Sequence, residues 1–253
     1  FRAGSETCRM AVGDNLLHNP LAADLMRLNK SFVVERDLAS ARAGYRAMTR
    51  TSHYVRHSLQ EHASVWIAQR QGRAKDGFDR TDPALIKMLA LAYRKQAEPI
   101  RELLSNGALV PVSLSYEVDP CAPAKAKELA ALARDGEYAK GEEEDLDSMI
   151  QGLVGYKGQV HVHFSPPIAQ DCDSVEQLVE RLDSAIVGGI RVLSTNRYAD
   201  ALLADEASDS HTNSKAMSAL KIQLDQCTEE QRAFLLQQYA NICVNRRQLG
   251  MEA

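Results

Sequence analysis

Apolar and polar positions alternate along the chain with two different periods. Short runs rich in β-branched residues have the length and composition of strands, at residues 7–12, 31–35, 64–68, 109–115 and 159–164. The segments between these runs carry apolar residues at helical spacing instead. This order of elements predicts an α/β fold with a mixed central β-sheet flanked by helices.

The clearest helix is predicted over residues 40–60, where Ser40 can cap the amino terminus. The positions predicted to form its buried stripe are Tyr45, Met48, Ser52, Val55 and Leu59. The positions of a second, basic stripe on another face are Arg42, Arg46, Arg50, His53 and His57. A solvated helix face is one interpretation of this basic stripe.

Capping residues mark further helices. Asp82, which precedes a proline, predicts one start, and Thr228 with Gln231 three residues later predicts another. The second pattern lies in a region that carries no strand signal. The chain is therefore predicted to consist of a core at residues 1–195 and a helical C-terminal extension at residues 196–253.

The composition narrows the class of protein. The 253 residues are 45% hydrophobic and 25% charged, as in ordinary globular proteins, and no apolar run is long enough to cross a bilayer. A net charge of −4 argues against a nucleic-acid-binding protein. The cysteines are far apart and form no C-x-x-C pair, which is typical of reduced thiols in a cytosolic protein and predicts neither a disulfide nor a zinc site.

Positive charge is concentrated between residues 36 and 80, which hold nine lysines and arginines against four acidic residues. Within this region a predicted strand leads into a loop with Arg70, Gly72, Arg73 and Lys75. Glycine permits close approach of the backbone to a ligand, and arginine grips phosphate with two parallel N–H groups. The loop matches neither of the common glycine-rich nucleotide motifs. It is a candidate phosphate site, and a charged surface hairpin is the alternative.

This loop resembles the third conserved block of the glycerolipid acyltransferase superfamily, which includes glycerol-3-phosphate and lysophosphatidate acyltransferases. In that block a strand precedes a Glu-Gly pair and an arginine that contacts the phosphate of the acceptor. Gly72 and Arg73 match the glycine and the arginine, with Lys75 close by. Gln71 stands where the family usually has glutamate, and its amide can still accept a hydrogen bond.

Blocks on either side of this loop follow the family's order. Residues 29–36 resemble the second block, an apolar strand that ends at an arginine, which is Arg36 here. Residues 109–116 resemble the fourth block, a strand with an internal proline on the acyl-donor side, which is Pro111 here. Because proline lacks a backbone donor, Pro111 is also expected at a strand start, edge or bulge. The resemblance extends over roughly residues 6–168.

The resemblance implies an enzyme of phospholipid biosynthesis. Such an enzyme transfers a fatty acyl group from acyl-CoA or acyl-carrier protein to a hydroxyl of glycerol 3-phosphate or 1-acylglycerol 3-phosphate. It implies that Arg36, Arg73 and Lys75 hold the acceptor phosphate, with Arg70 as a further candidate, and that no metal or cofactor is needed. Because acceptor and product are amphiphilic, a cytoplasmic protein in peripheral contact with the inner face of the membrane is expected. Arg42, Arg46 and Arg50 of the basic stripe could then meet anionic headgroups, and a solvated helix face is the alternative.

The family's catalytic base is the histidine of a His-x4-Asp motif, which this sequence does not contain. In the family the motif precedes the first predicted strand, so it is expected before Phe1, and no catalytic residue is assigned within the chain. Histidine pairs at residues 53/57 and 161/163 have spacings that suit a metal, and polar surface positions are the alternative. Two other functions stay open: a binding module for an anionic lipid or acyl carrier, and a different phosphate-handling α/β enzyme such as a sugar-phosphate transferase.

Overall fold

The computed structural model describes residues 7–17, 20–35, 39–69, 74–141, 144–205 and 214–252. The strands are β1 (Arg9–Gly13), β2 (Ser31–Val34), β3 (Val65–Trp66), β4 (Val112–Tyr116) and β5 (Val160–Phe164). The α-helices are α1 (Pro20–Leu28), α2 (Ala41–Gln60), α3 (Pro83–Ala90), α4 (Pro99–Asn106), α5 (Ala122–Asp135), α6 (Glu144–Val154), α7 (Val175–Gly189), α8 (Ser194–Leu203), α9 (Lys215–Asp225) and α10 (Glu229–Gln248). Short 3-10 helices cover Asp14–Leu17 and Leu91–Tyr93. All five predicted strands are confirmed, with ends that differ by at most three residues.

The described chain divides into two compact units. The first unit is drawn from residues 1–72, 81–110 and 167–182, and the second from residues 73–80, 111–166 and 183–253. The α/β class is confirmed, but the strands of the described residues form two sheets instead of the one mixed sheet that was predicted. The reason is that β4 and β5 pair with each other in antiparallel fashion, which needs no partner from the parallel strands.

The sheet of the first unit has the strand order β2-β1-β3, and all three strands are parallel. Met10 of β1 lies beside Ser31 of β2 on one side and beside Trp66 of β3 on the other. Parallel neighbours require long crossover connections, and α1 and α2 lie in these connections. The chain therefore passes first to one side of β1 and then to the other, so the order of the strands reverses at β1.

The helix α2 begins where the sequence predicts. The Ser40 hydroxyl accepts a hydrogen bond from the Ala43 N–H at 3.2 Å, which satisfies one of the donors left free at a helix start. Further along, the buried Ser52 hydroxyl donates to the Leu89 carbonyl at 3.0 Å and accepts from the Ala92 N–H at 2.8 Å. These hydrogen bonds tie α2 to α3 and to the 3-10 helix that follows it.

The buried face of α2 differs from the predicted one. Tyr45 is 46% exposed and Met48 is 41% exposed, so their prediction as core residues is wrong, whereas Leu59 packs against the core as predicted. The buried residues of α2 are Ala47, Thr51, Ser52, Val55 and Ser58. Small side chains let the helix approach the core closely, and this contact turns the larger Tyr45 and Met48 toward solvent.

Two apolar clusters fill the first unit. One cluster lies between α2, α3 and α4 and comprises Val55, Met88, Leu89, Ala92, Tyr93 and Leu103. The other joins α3 and α4 to the first turns of α7 and comprises Ile86, Ile100, Leu104, Cys172, Leu178 and Leu182. At the start of α3 the Asp82 carboxylate accepts from the Ala84 N–H at 2.8 Å, as the sequence predicts. These contacts make α3 a fixed support beside the parallel sheet.

The sheet of the second unit is the antiparallel pair of β4 and β5. Ser113 pairs with His163 and Ser115 pairs with His161 across the ribbon. Pro111 lies directly before β4 and is buried, which confirms its expected place at a strand start. Its carbonyl accepts a hydrogen bond from the Ser165 N–H at 3.0 Å, so the ladder continues past the proline without needing an N–H there.

The helices from Ser194 onward share a core with α5. This core comprises Ala122, Ala126, Ala199, Leu220, Cys227, Leu235, Tyr239 and Ala240. The predicted capping box at Thr228 and Gln231 is confirmed, and Gly250 follows the end of α10 with φ +70°. Helices α8, α9 and α10 therefore belong to the second unit together with α5, while the boundary at residues 195 and 196 stays a prediction.

Candidate functional site

The first feature of the candidate site is the edge of the parallel sheet where the strands end. In β1 the last residue is Gly13, which lies beside Val34 at the end of β2. β3 ends at Trp66. Ligands of open parallel sheets bind outside the carboxyl ends of the strands, at the point where the strand order reverses. The reversal at β1 therefore marks this edge as the place for a ligand in the first unit.

The chain that leaves β3 returns to the same point of the first unit. The Gln69 carbonyl accepts a hydrogen bond from the Asp82 N–H at 2.9 Å. Asp82 in turn caps α3. Residues 70–81 lie between the two partners of this hydrogen bond, and we call them the excursion. The glycine- and arginine-containing loop predicted from the sequence belongs to the excursion, and residues 70–73 of it lie outside the described residues.

The described residues 74–80 belong to the second unit and contact its helices. The Lys75 ammonium donates to the Glu128 carboxylate of α5, and the two side chains are 26% and 13% exposed. The Asn241 side-chain amide donates to the Asp76 carbonyl at 2.7 Å. Lys75 thus has a carboxylate partner, and the segment around it is fixed in place.

The predicted ligand-binding residues fall into two groups. Arg36, Arg70, Gln71, Gly72 and Arg73 lie outside the described residues, and their assignment stays a prediction. Lys75 and Pro111 lie in the second unit, where Lys75 pairs with Glu128 and Pro111 precedes β4. The structure describes the segments next to these positions, namely β2 before Arg36, β3 before residues 70–73, and the hydrogen bond between Gln69 and Asp82.

One histidine–carboxylate pair lies at the other edge of the parallel sheet. His57 Nε2 is 3.3 Å from the Glu61 carboxylate, and both side chains are largely exposed. The Arg9 guanidinium donates to Glu61 at 2.9 Å, and this contact, together with His57, holds the pKa of the Glu61 carboxyl below its ordinary value. Because Arg9 begins β1, the pair lies at the amino end of the strands and away from the candidate site.

The remaining candidates for chemistry are engaged in packing. The imidazoles of His161 and His163 stack with ring centroids 6.3 Å apart. In the described residues, no group of three histidine, cysteine or acidic side chains could hold a metal ion. Burial raises the pKa of the thiols of Cys172, Cys227 and Cys243, which disfavours the nucleophilic thiolate.

Sequence reasoning missed the residues that support the excursion. Asn241 and Asn245 are four positions apart on α10 and donate to the carbonyls of Asp76 and Asp79, at 2.7 and 3.4 Å. Their spacing on one helix face is a signal, but the partner segment lies about 165 positions away in the sequence. Only the tertiary fold brings the two segments together.

The described part of the chain contains no helix that is both long enough and apolar enough to span a membrane. Comparison with known proteins found no matching family model, no matching curated protein and no matching solved structure.

Proposed function

We propose that this chain binds the phosphate-bearing glycerol acceptor of an acyl transfer to glycerol 3-phosphate or 1-acylglycerol 3-phosphate. The observation that carries the proposal is the parallel order β2-β1-β3. In this order the two strands that precede Arg36 and the 70–73 loop flank one central strand, and both run toward the same edge. Loops at this edge of an open sheet are the usual place for a phosphate-bearing ligand.

Arginine suits the proposed task because its planar guanidinium offers two N–H groups to two phosphate oxygens. Arg36 and Arg73 take this role in the proposal, and Arg70 is a further candidate. The Lys75 ammonium is paired with the Glu128 carboxylate within the second unit, so Lys75 is not assigned the main phosphate contact in the proposal. Residues 36–80 contain nine basic and four acidic residues, and this excess of five positive charges adds electrostatic attraction for an anionic acceptor.

The proposed reaction uses an acyl thioester as donor. The acceptor hydroxyl oxygen attacks the thioester carbonyl carbon, a general base takes the hydroxyl proton, the C–S bond breaks, and the proton ends on the departing thiolate. The printed sequence has no His-x4-Asp motif to provide that base. The share of the reaction proposed for residues 1–253 is therefore the binding and orientation of the acceptor, and binding is the property to measure.

A second candidate function is a binding module for an anionic lipid or an acyl carrier. The specific observation in its favour is the same absence of a His-x4-Asp motif from the printed sequence. Both candidates predict phosphate binding. They differ in whether binding is coupled to acyl transfer. Transfer of an acyl group to glycerol 3-phosphate, measured with a chain that also carries a His-x4-Asp segment, therefore discriminates between them.

The proposal is tested by calorimetric titration with four compounds: glycerol 3-phosphate, glycerol, inorganic phosphate and palmitoyl-CoA. We expect glycerol 3-phosphate to bind at least tenfold more tightly than glycerol, because only the former carries the anion that the guanidinium groups recognise. We also expect saturable binding of palmitoyl-CoA. Binding of glycerol 3-phosphate without palmitoyl-CoA would favour a different phosphate-handling enzyme, and equal affinity for glycerol and glycerol 3-phosphate would contradict the proposal.

A further inference from the structure

The outward face of α2 is strongly basic. Over its 20 residues α2 contains no aspartate or glutamate. Arginine and histidine recur along the side of the helix that faces solvent, and all five of the following are exposed: Arg42, Arg46, Arg50, His53 and His57. We call these residues the basic face. From first to last they span about 22 Å of helix, at 1.5 Å per residue.

Much of this charge has no counter-charge nearby. Arg50 pairs with Glu35 at 2.6 Å, and His57 lies 3.3 Å from Glu61. For Arg42 and Arg46, no carboxylate partner occurs among the described residues. Arg42 also lies in the first turn of α2, where the helix dipole disfavours a cation. The position of Arg42 therefore does not stabilise α2.

Apolar and aromatic groups border the basic face. Tyr45 and Met48 are exposed beside it. The Tyr45 hydroxyl accepts a hydrogen bond from the Arg94 guanidinium at 2.9 Å, and the same guanidinium lies 5.9 Å from the centre of the Tyr45 ring. Arg94 thus adds a further cation at the edge of the face. Basic residues next to exposed aromatic and apolar side chains are typical of surfaces that bind at the membrane–water interface.

The opposite face of α2 is fixed in the core. Ser52 is 1% exposed and hydrogen-bonded to α3, and Val55 belongs to an apolar cluster of the first unit. The helix therefore does not need to leave the core to expose its charges. It presents Arg42, Arg46 and Arg50 as a preformed row of cations that can contact a flat anionic surface.

We propose that the basic face of α2 docks this protein on a bilayer that contains anionic phospholipids. This inference does not rest on the proposed acyl transfer. A membrane fits better than a nucleic acid because the exposed Tyr45 and Met48 add apolar contact that a phosphate backbone does not use. Each arginine near an anionic surface strengthens binding by about fivefold.

The test is co-sedimentation with vesicles of phosphatidylcholine alone and with vesicles of equal parts phosphatidylcholine and phosphatidylglycerol. We expect binding to the anionic vesicles only, and loss of this binding when the salt concentration is raised from about 0.05 M to about 0.5 M. Arg42→Gln combined with Arg46→Gln is expected to weaken binding by about 25-fold, from two contacts of about fivefold each. Arg42→Lys with Arg46→Lys keeps the charge and is expected to retain most of the affinity.

The matched control is Lys215→Gln combined with Lys221→Gln on the exposed surface of α9, which removes the same charge at another place. It is expected to bind like the unaltered chain. Equal binding by the two double variants would overturn the proposal, as would equal binding to neutral and anionic vesicles. Absence of vesicle binding, combined with arginine-dependent binding of soluble polyglutamate, would also overturn it and would identify an acidic protein as the partner. Circular dichroism confirms that each variant is folded, since all four positions are exposed.

Discussion

The backbone of Gly77 lies directly against the carbonyl oxygen of Gln238 in α10. A Cβ atom at Gly77 would be 2.2 Å from that oxygen, and the residue has φ +80°, a conformation that side chains other than hydrogen disfavour. This contact, the hydrogen bond from Asn241 to Asp76, and the pairing of Lys75 with Glu128 hold residues 74–77 on the second unit. The fold thus fixes the chain immediately after the predicted phosphate loop.

The first prediction concerns this contact. Gly77→Ala is expected to destabilise the second unit by about 3 kcal/mol, because it combines an unfavourable positive φ with overlap against backbone atoms. Gly136→Ala is the matched control, since Gly136 has φ +79° but no atom within 4 Å of the added Cβ, and it is expected to cost only about 1 kcal/mol. Hydrogen exchange of the α10 amides measures both effects. Equal losses in the two variants would show that the Gln238 contact is unimportant.

The second prediction concerns the buried hydroxyl that joins α2 to α3. Ser52→Ala removes the partner of the Leu89 carbonyl and of the Ala92 N–H and is expected to cost about 1–3 kcal/mol. Thr49→Val is the control, because the Thr49 hydroxyl only donates to the Tyr45 carbonyl within the same exposed part of the helix. Its expected effect is below about 0.5 kcal/mol. Denaturant unfolding followed by the fluorescence of Trp66 in the first unit measures both, and a Ser52→Ala protein as stable as the control would refute this role.

The third prediction concerns the end of α7. The Arg246 guanidinium donates to the carbonyls of Val187, Gly188 and Ile190, at distances of 3.0 to 3.2 Å. Arg246→Ala is expected to lower the free energy of unfolding of the second unit by about 2 kcal/mol, because these carbonyls lose a charged donor. The neighbouring Arg247 forms an ion pair with Asp200 at 2.6 Å, and both side chains are partly exposed. Arg247→Ala is therefore expected to cost less than about 1 kcal/mol, and a reversed ranking in thermal unfolding would contradict the assignment.

The fourth prediction concerns alkaline pH. Burial raises the pKa of the Cys243 thiol from 9.0 to about 11, so the folded protein holds this proton more tightly than the unfolded chain does. The resulting stabilisation is complete below pH 9 and is lost as the pH rises through about 11. The free energy of unfolding is therefore expected to fall over this window in the unaltered protein and to fall less steeply in Cys243→Ala. Urea titrations at pH 8, 9, 10 and 11 test this, and identical slopes for the two proteins would exclude Cys243 as the cause.

Local sequence signals predicted the five strands and the starts of α2, α3 and α10. The five strands are short and rich in β-branched residues, and the caps Ser40, Asp82 and Thr228 act through hydrogen bonds to residues two or three positions away. Such contacts are readable because both partners lie in one stretch of sequence. Pro111 was placed correctly at a strand start for the same reason, since its missing N–H is a property of the residue itself.

The errors arise where tertiary packing decides. Tyr45 and Met48 lie at helical spacing, but α2 contacts the core through Ala47 and Ser58. Alanine and serine are too small and too weakly apolar to form a recognisable hydrophobic stripe in the sequence. The two-sheet arrangement depends on the pairing of β4 with β5. The 43 residues between Tyr116 and Val160, which include α5 and α6, separate these two strands in the sequence. Hydrophobic periodicity alone does not specify which strand pairs with which.

The assignment of the candidate site stays a prediction, because Arg36, Arg70, Gln71, Gly72 and Arg73 were chosen by residue type and spacing and lie outside the described residues. The strands that precede them were predicted and are confirmed, whereas the parallel pairing of these strands was not predicted. The backbone hydrogen bond between Gln69 and Asp82 was not predicted, because a single bond of this kind between residues separated by 12 others leaves no pattern in the sequence. Likewise, nothing in the sequence indicated that the Lys75 ammonium pairs with Glu128.

The most direct test of the central claim is calorimetric titration of glycerol 3-phosphate into the unaltered chain and into Arg36→Ala and Arg73→Ala, with Arg134→Ala as an exposed control in the second unit. The account predicts that each of the first two variants binds at least tenfold more weakly, because each loses a two-pronged contact with the phosphate, and that the control binds like the unaltered chain. A change of less than about threefold in both Arg36→Ala and Arg73→Ala would contradict it, since that corresponds to under 1 kcal/mol and leaves no room for a phosphate contact.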